Sequence, residues 1–179
     1  MADSKPSLAD AGNSLYGALA YNGEKINEAK GRLLTTNCIY NDGTGTMDIH
    51  RAMEDFLALM PVRSKVEKPV VHISLNPHPE DRLTDTDLQN IAREYLEKLG
   101  FGEQPYMVYK HEDIDRHHVH IVTVNVDETG RRLNCDFLFR RSDRIRRELE
   151  EKYGLRPAER RRADAAGKRP FCAADLPAE

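Results

Sequence analysis

His111-Glu-Asp-Ile-Asp-Arg-His-His-Val-His-Ile-Val-Thr-Val-Asn-Val126 holds four of the chain's seven histidines and then turns apolar. The run from Val119 to Val126 is β-branched and reads as a strand. Side chains on a strand alternate between faces, so His118 and His120 share one face. His117 takes the other. Upstream, Tyr106-Met-Val-Tyr-Lys110 is a second strand-like run that leads into His111. A turn through residues 112–116 brings His111 back beside His118 and His120. Three neutral imidazoles on one face can hold a metal ion and leave positions open for substrate. Asp113 is placed to accept the second N–H of a ligand imidazole and so fix its tautomer. A bare His-x-His on a strand is common. The third histidine and the aspartate are what turn the reading toward a metal.

The chain has 179 residues, which suits one domain with a substantial core. No apolar run approaches the roughly 20 residues needed to span a bilayer. Met1-Ala-Asp-Ser-Lys-Pro6 has no apolar signal core, so a cytoplasmic protein without membrane insertion is expected. Cys38, Cys135 and Cys172 are odd in number and lack Cys-x-x-Cys spacing, which speaks against a disulfide framework or a zinc knuckle. Net charge is −3, yet its distribution is uneven. Residues 131–169 hold 14 Lys/Arg against 7 Asp/Glu, a balance of +7, and the remainder holds 13 against 23, a balance of −10. Such a segment is either a phosphate-facing patch or a solvated helix face with a basic tail.

Residues 1–13 are small and polar and read as a flexible N-terminus. Asn13 or Ser14 caps a short helix carrying Tyr16 and Tyr21. Residues 22–31 are polar, and Arg32–Tyr40 is a strand followed by the turn Asn41-Asp-Gly-Thr-Gly45. Thr46 caps a helix with Ile49, Met53, Phe56, Leu57 and Met60 inward, ended by Pro61. Lys68–Leu75 is a strand with Val71, Ile73 and Leu75 on one face and Val70, His72 and Ser74 on the other. Thr84 and Asp87 form a capping box for a strong helix that Gly100 terminates. The strand at 105–110 and the histidine strand follow. After the turn Asp127–Gly130 comes a strand over Arg131–Cys135. Ser142 caps a last helix, closed by Gly154. Residues 14–155 are the expected domain, and 156–179 read as a basic tail rich in Ala, Pro and Arg or as the start of a linker. Short links between the later strands favour antiparallel pairing. The expected class is α+β, a two-layer sandwich of a mostly antiparallel sheet with helices on one face.

Three stretches resemble the relaxases, the mobilisation nucleases of the HUH endonuclease superfamily, above all those of mobilisable and conjugative elements of Bacteroides-type bacteria. Leu19-Ala-Tyr-Asn-Gly-Glu-Lys-Ile26 is similar to their nucleophile motif, a tyrosine followed by Asn-x-x-Lys. Val71-His-Ile-Ser-Leu-Asn76 is similar to their central strand. Leu99 through His111, continuing by Asp113 to His118-Val-His-Ile-Val122, resembles their metal motif. In relaxases an apolar strand leads directly to the tyrosine helix, whereas Met1–Asn13 is polar here. His117 stands where the family often has proline.

The resemblance implies an HUH endonuclease-like fold and strand-specific nicking of DNA at a transfer origin. Tyrosine ionises near pH ~10, so attack on a phosphodiester at neutral pH needs help. The resemblance assigns that attack to Tyr21, with Tyr16 in reserve, and gives a 5′-phosphotyrosine and a free 3′-hydroxyl that can be rejoined. It implies a divalent ion on His111, His118 and His120, Mg or Mn in the cell, although imidazoles also suit Ni, Co or Zn. The implied partners are single-stranded and hairpin DNA of the transfer origin, relaxosome accessory proteins and a coupling protein. Arg131, Arg132, Arg140, Arg141, Arg144 and Arg147 are the expected phosphate contacts. Two rivals use the same residues otherwise: a metal-dependent phosphodiesterase with no covalent intermediate, and a non-catalytic origin-binding module. A histidine-triad hydrolase needs a third alternating histidine, where Val122 stands.

Overall fold

The protein was analysed as a computed structural model that describes residues 8–28, 30–61, 64–112 and 118–157. The elements run α1 (Leu8–Asn27), β1 (Gly31–Asn37), α2 (Ile49–Leu59), β2 (Val70–Leu75), α3 (Asp85–Leu99), β3 (Tyr106–His111), β4 (His118–Val124) and α4 (Leu138–Tyr153). The strands form one antiparallel sheet in the order β1-β3-β4-β2. The histidine-bearing hairpin β3–β4 is therefore the middle of the sheet, flanked by one strand on each side.

That central position explains the packing. Every residue of β3 is buried, so this strand must be covered on both faces. Tyr106 and Val108 of β3, with Val119 and Ile121 of β4, meet α3 and α4 through Ile91, Leu96, Ile145 and Leu149. Met107, Tyr109, Val122 and Val124 meet α1 and α2 through Leu15, Leu19, Ala52 and Phe56. Ile121 and Val122, adjacent in sequence, serve opposite cores and are both fully buried. Each such side chain contributes about 1.5–3 kcal/mol.

The α+β class and the antiparallel sheet are as expected. The layering is fuller: helices lie on both faces, not on one, because β3 and β4 are apolar on both sides. The fifth strand, expected over Arg131–Cys135, is reduced to one bridge between Val126 and Arg132. After the turn Asp127 takes the backbone N–H groups of Thr129 and Arg131, and Asp136 begins a new turn on Asn134, so no ladder develops.

Capping explains most boundary differences. Thr84 and Asp87 form the expected capping box on α3, and Gly100 ends it at φ 89°. In α2 Asp48, not Thr46, accepts the Arg51 N–H at 3.1 Å. Helix α4 starts at Leu138, ahead of Ser142, whose hydroxyl bonds the Tyr95 hydroxyl at 2.8 Å instead of capping. Helix α1 reaches from Leu8 to Asn27, well beyond the short segment expected around the tyrosines. Its N-terminal extension takes in residues 8–13, which were read as flexible. The tail from 158 onward, His117 and Asp113 lie outside the described residues.

Candidate functional site

Strand pairing assembles the histidines. His111 and His118 are direct partners across the β3–β4 ladder, and His120 stands opposite Tyr109. The alternation of the strands puts all three on the face covered by α1. Their ligand atoms lie within 4.8 Å of one another. Ring centroids are 5.2 Å apart for His111 and His118, 4.3 Å for His111 and His120, and 4.9 Å for His118 and His120. His111 is fully buried and His118 nearly so. Gly31 lets β1 pass close by, since a Cβ there would meet the Lys110 carbonyl at 2.8 Å and His111 Cδ2 at 3.3 Å. Three nitrogen donors from two paired strands, this close together, fit a single divalent ion of borderline softness.

A fourth imidazole joins them. His72 of β2 points to the same face, and its Nε2 lies 2.9 Å from His120 Nδ1. Burial pulls His72 below the ordinary histidine range, which favours its neutral form. Sequence reading placed His72 on the correct face but gave it no role. The signal lay in the pairing: Ser74 is the partner of His120, so His72 is its diagonal neighbour on the same face.

Tyr21 completes the cluster. Helix α1 buries Leu15, Ala18, Leu19 and Asn22, a stripe at helical spacing. Tyr21 stands beside that stripe, 46 % exposed. Its ring lies 5.9 Å from His111, 6.3 Å from His120 and 6.5 Å from His72, centroid to centroid. Tyr16, five residues earlier, points roughly 140° away around the helix and lies about 7.5 Å along it. It faces His50 at 6.4 Å and is not brought to the histidines. Gly23 fixes how closely α1 lies on α2, since a Cβ there would stand 2.7 Å from Ile49 Cδ1.

The arginines do not gather here. Arg131 and Arg132, with Lys65, Lys68 and Glu67, line a cleft of about 600 Å3. It lies past the far end of β4, roughly 20 Å from His120 at strand rise. Ser64 Oγ ties its two walls by donating to the Gly130 carbonyl at 3.1 Å. Arg140, Arg141, Arg144 and Arg147 sit on α4, against the opposite face of the sheet. Arg141 is structural: it donates to the Asn134 carbonyl at 2.9 Å and to the Leu99 carbonyl. Arg144 pairs with Glu148 at 3.7 Å and Arg147 with Asp143 at 2.7 Å. The six arginines expected as phosphate contacts are thus divided between a distant cleft and a helix.

No described helix is long and apolar enough to cross a membrane. The sequence profile of a family described as Relaxase, MobA/VirD2-like, nuclease domain, matches residues 21–155. That range covers three quarters of the chain and contains Tyr21, His72 and the histidines of β3 and β4. No curated protein and no solved structure is significantly similar to the chain.

Proposed function

Because this chain belongs to the MobA/VirD2-like relaxase nuclease family, we propose that it nicks one DNA strand at a plasmid or transposon transfer origin through Tyr21 and later rejoins it, initiating conjugative mobilisation. The coarser function is that of a DNA relaxase domain, an endonuclease acting on origin DNA. The observation that supports the finer reading is the seating of the Tyr21 ring 5.9 Å from the His111 ring.

In this mechanism Tyr21 Oη attacks the scissile phosphorus in line. The Oη–P bond forms as the bond from phosphorus to the 3′ oxygen breaks. The phenolic proton passes to solvent, and the departing 3′ oxygen takes one up. The protein then carries the 5′ end as a phosphotyrosine. One ester has replaced another, so attack by a 3′-hydroxyl reverses the step without an energy source. His111, His118 and His120 would hold a divalent ion, Mg or Mn in the cell, which polarises the scissile phosphate and neutralises charge building on its oxygens. His72 Nε2 meets His120 Nδ1 and steadies that ring, so Nε2 would be the His120 atom that faces the ion. The exposed flank of α1 lets a single strand reach Tyr21. The arginines and lysines of the distant cleft are suited to phosphates of the flanking hairpin. Relaxosome accessory proteins and a coupling protein are the further partners proposed.

The test is a denaturing gel after incubation with Mn and labelled single-stranded origin DNA. The expected result is a labelled protein band present in wild type and Tyr16→Phe and absent in Tyr21→Phe. Loss with Tyr16→Phe alone moves the nucleophile. Cleavage without any adduct favours a phosphodiesterase, and tight binding without cleavage favours a non-catalytic module.

A further inference from the structure

Phe137 and Phe139 are 73 % and 63 % exposed, more than any other large apolar side chain among the described residues. Between them Leu138 turns inward onto the core. The two rings therefore project where α4 begins. Phe137 holds φ at 52°, a left-handed conformation that a bulky side chain adopts at a cost. Arg141 anchors the segment to the Asn134 and Leu99 carbonyls, so the backbone under the rings is fixed. The Arg140 guanidinium lies over the Phe137 ring at 5.5 Å. Arg144 follows one turn later, its side chain 71 % exposed. Residues 131–147 hold seven arginines against two acidic residues, a cationic excess that remains although Arg144 also lies 3.7 Å from Glu148.

Exposed π-faces interleaved with guanidinium groups match single-stranded nucleic acid, whose bases stack while its phosphates pair with cations. A purely apolar partner would gain nothing from the arginines. A duplex would hide its base faces from the rings. We propose that Phe137 and Phe139 form a base-stacking platform for single-stranded DNA, with Arg140 and Arg144 on its phosphates, remote from the Tyr21 cluster. The proposal rests on the reading of the chain as a DNA enzyme and adds a second place where the strand is held. Five Cα steps separate Arg132 of the basic cleft from Phe137, a span of at most about 18 Å. One stretch of DNA can thus touch both.

The experiment compares binding of an oligothymidylate and an abasic oligonucleotide of equal length, by fluorescence anisotropy. Both carry the same phosphates, and only the first carries bases. Wild type should bind the oligothymidylate at least about tenfold more tightly. Phe137→Ala/Phe139→Ala should lose that preference and bind both like the abasic strand. The chain has no tryptophan, so Phe137→Trp supplies a single reporter. Its emission should be quenched by the oligothymidylate and not by the abasic strand. Equal binding of both strands by wild type, an unchanged preference in the double variant, or unquenched emission overturns the platform. So does a change from dimer to monomer in the double variant by sedimentation, which would make the rings a contact between copies. The origin-nicking gel is independent of these readouts. Absence of a Tyr21 adduct with the base preference intact removes the nicking mechanism and leaves the platform standing.

Discussion

His72 and His120 meet diagonally across neighbouring antiparallel strands, with Nε2 of one 2.9 Å from Nδ1 of the other. The contact fixes the ring plane of His120 from outside the histidine hairpin. His72→Ala should therefore raise the Mn concentration needed for half-maximal nicking by about 10–100-fold. Saturating Mn should restore most of the maximal rate, because Tyr21 and the three hairpin histidines keep their side chains. His72→Gln, which keeps a polar group there, should recover part of the loss. A fall in maximal rate with no change in the metal requirement would assign His72 a different role.

The two glycines of α1 should behave oppositely. Gly17 has nothing within 4 Å of where its Cβ would stand. Gly17→Ala should stabilise the fold by about 0.5–1 kcal/mol, read from urea denaturation. Gly23→Ala gains the same propensity but puts a Cβ 2.7 Å from Ile49 Cδ1 and 3.0 Å from Met47 Cε. Overpacking costs about 1–3 kcal/mol, so the net change should be a loss of about 1 kcal/mol.

Acid should weaken α3 through its cap. Hydrogen bonds from the Thr84 hydroxyl and backbone hold Asp87 below the usual aspartate range. A carboxylate depressed in the folded state contributes stability above its unfolded pKa of ~3.9 and loses it as pH falls through the folded value. Thr84→Ala should cost about 1 kcal/mol at pH 7. The gap to wild type should narrow as pH falls from ~3.9 through the lower folded value of Asp87, where the carboxylate takes its proton. A gap independent of pH in thermal melts would show that the carboxylate takes no part.

The cleft at Arg131 and Arg132 should declare itself by salt. Each phosphate contact contributes about 0.7 to 0.9 to the slope of log affinity against log salt. Arg131→Ala/Arg132→Ala should reduce that slope for origin hairpin DNA by roughly 1.5. Arg141→Ala should instead lower stability, because its guanidinium is spent on two backbone carbonyls. An unchanged slope in the double variant would remove the cleft from the DNA path.

The histidine trio was legible because two local rules sufficed, alternation along a strand and a short return turn. The place of Tyr21 beside the histidines could be expected only through its motif, since nothing in a helical period says which layer a tyrosine faces. His72 was missed because its contact spans 48 residues and depends on the register of β2 against β4. Helices on both faces were missed because the buried faces of β3 include Tyr109, Lys110 and His111, which read as polar. Lys110 is buried by pairing with Asp85 at 3.1 Å and Glu112 at 2.8 Å, partners a sequence does not announce together. The arginines were grouped by proximity in sequence, whereas Arg131 and Arg147 are separated by the turn into α4.

The tyrosine and the histidines belong to different layers, and this has a mechanical consequence. In the proposed mechanism a DNA strand becomes bonded to Tyr21, and any pull on that strand would enter the protein through α1. The hairpin that holds the histidines bears none of it directly. What resists the tension is the seam of Leu15, Ala18, Leu19 and Asn22 against the sheet, and the close contact of Gly23 with Ile49. A helix about 30 Å long, loaded at one side chain near its end, acts as a lever on that seam. Towing of the strand would thus be felt first as a tilt of α1, which would draw the tyrosine off the imidazoles and, in the proposed mechanism, delay rejoining until the tension is released.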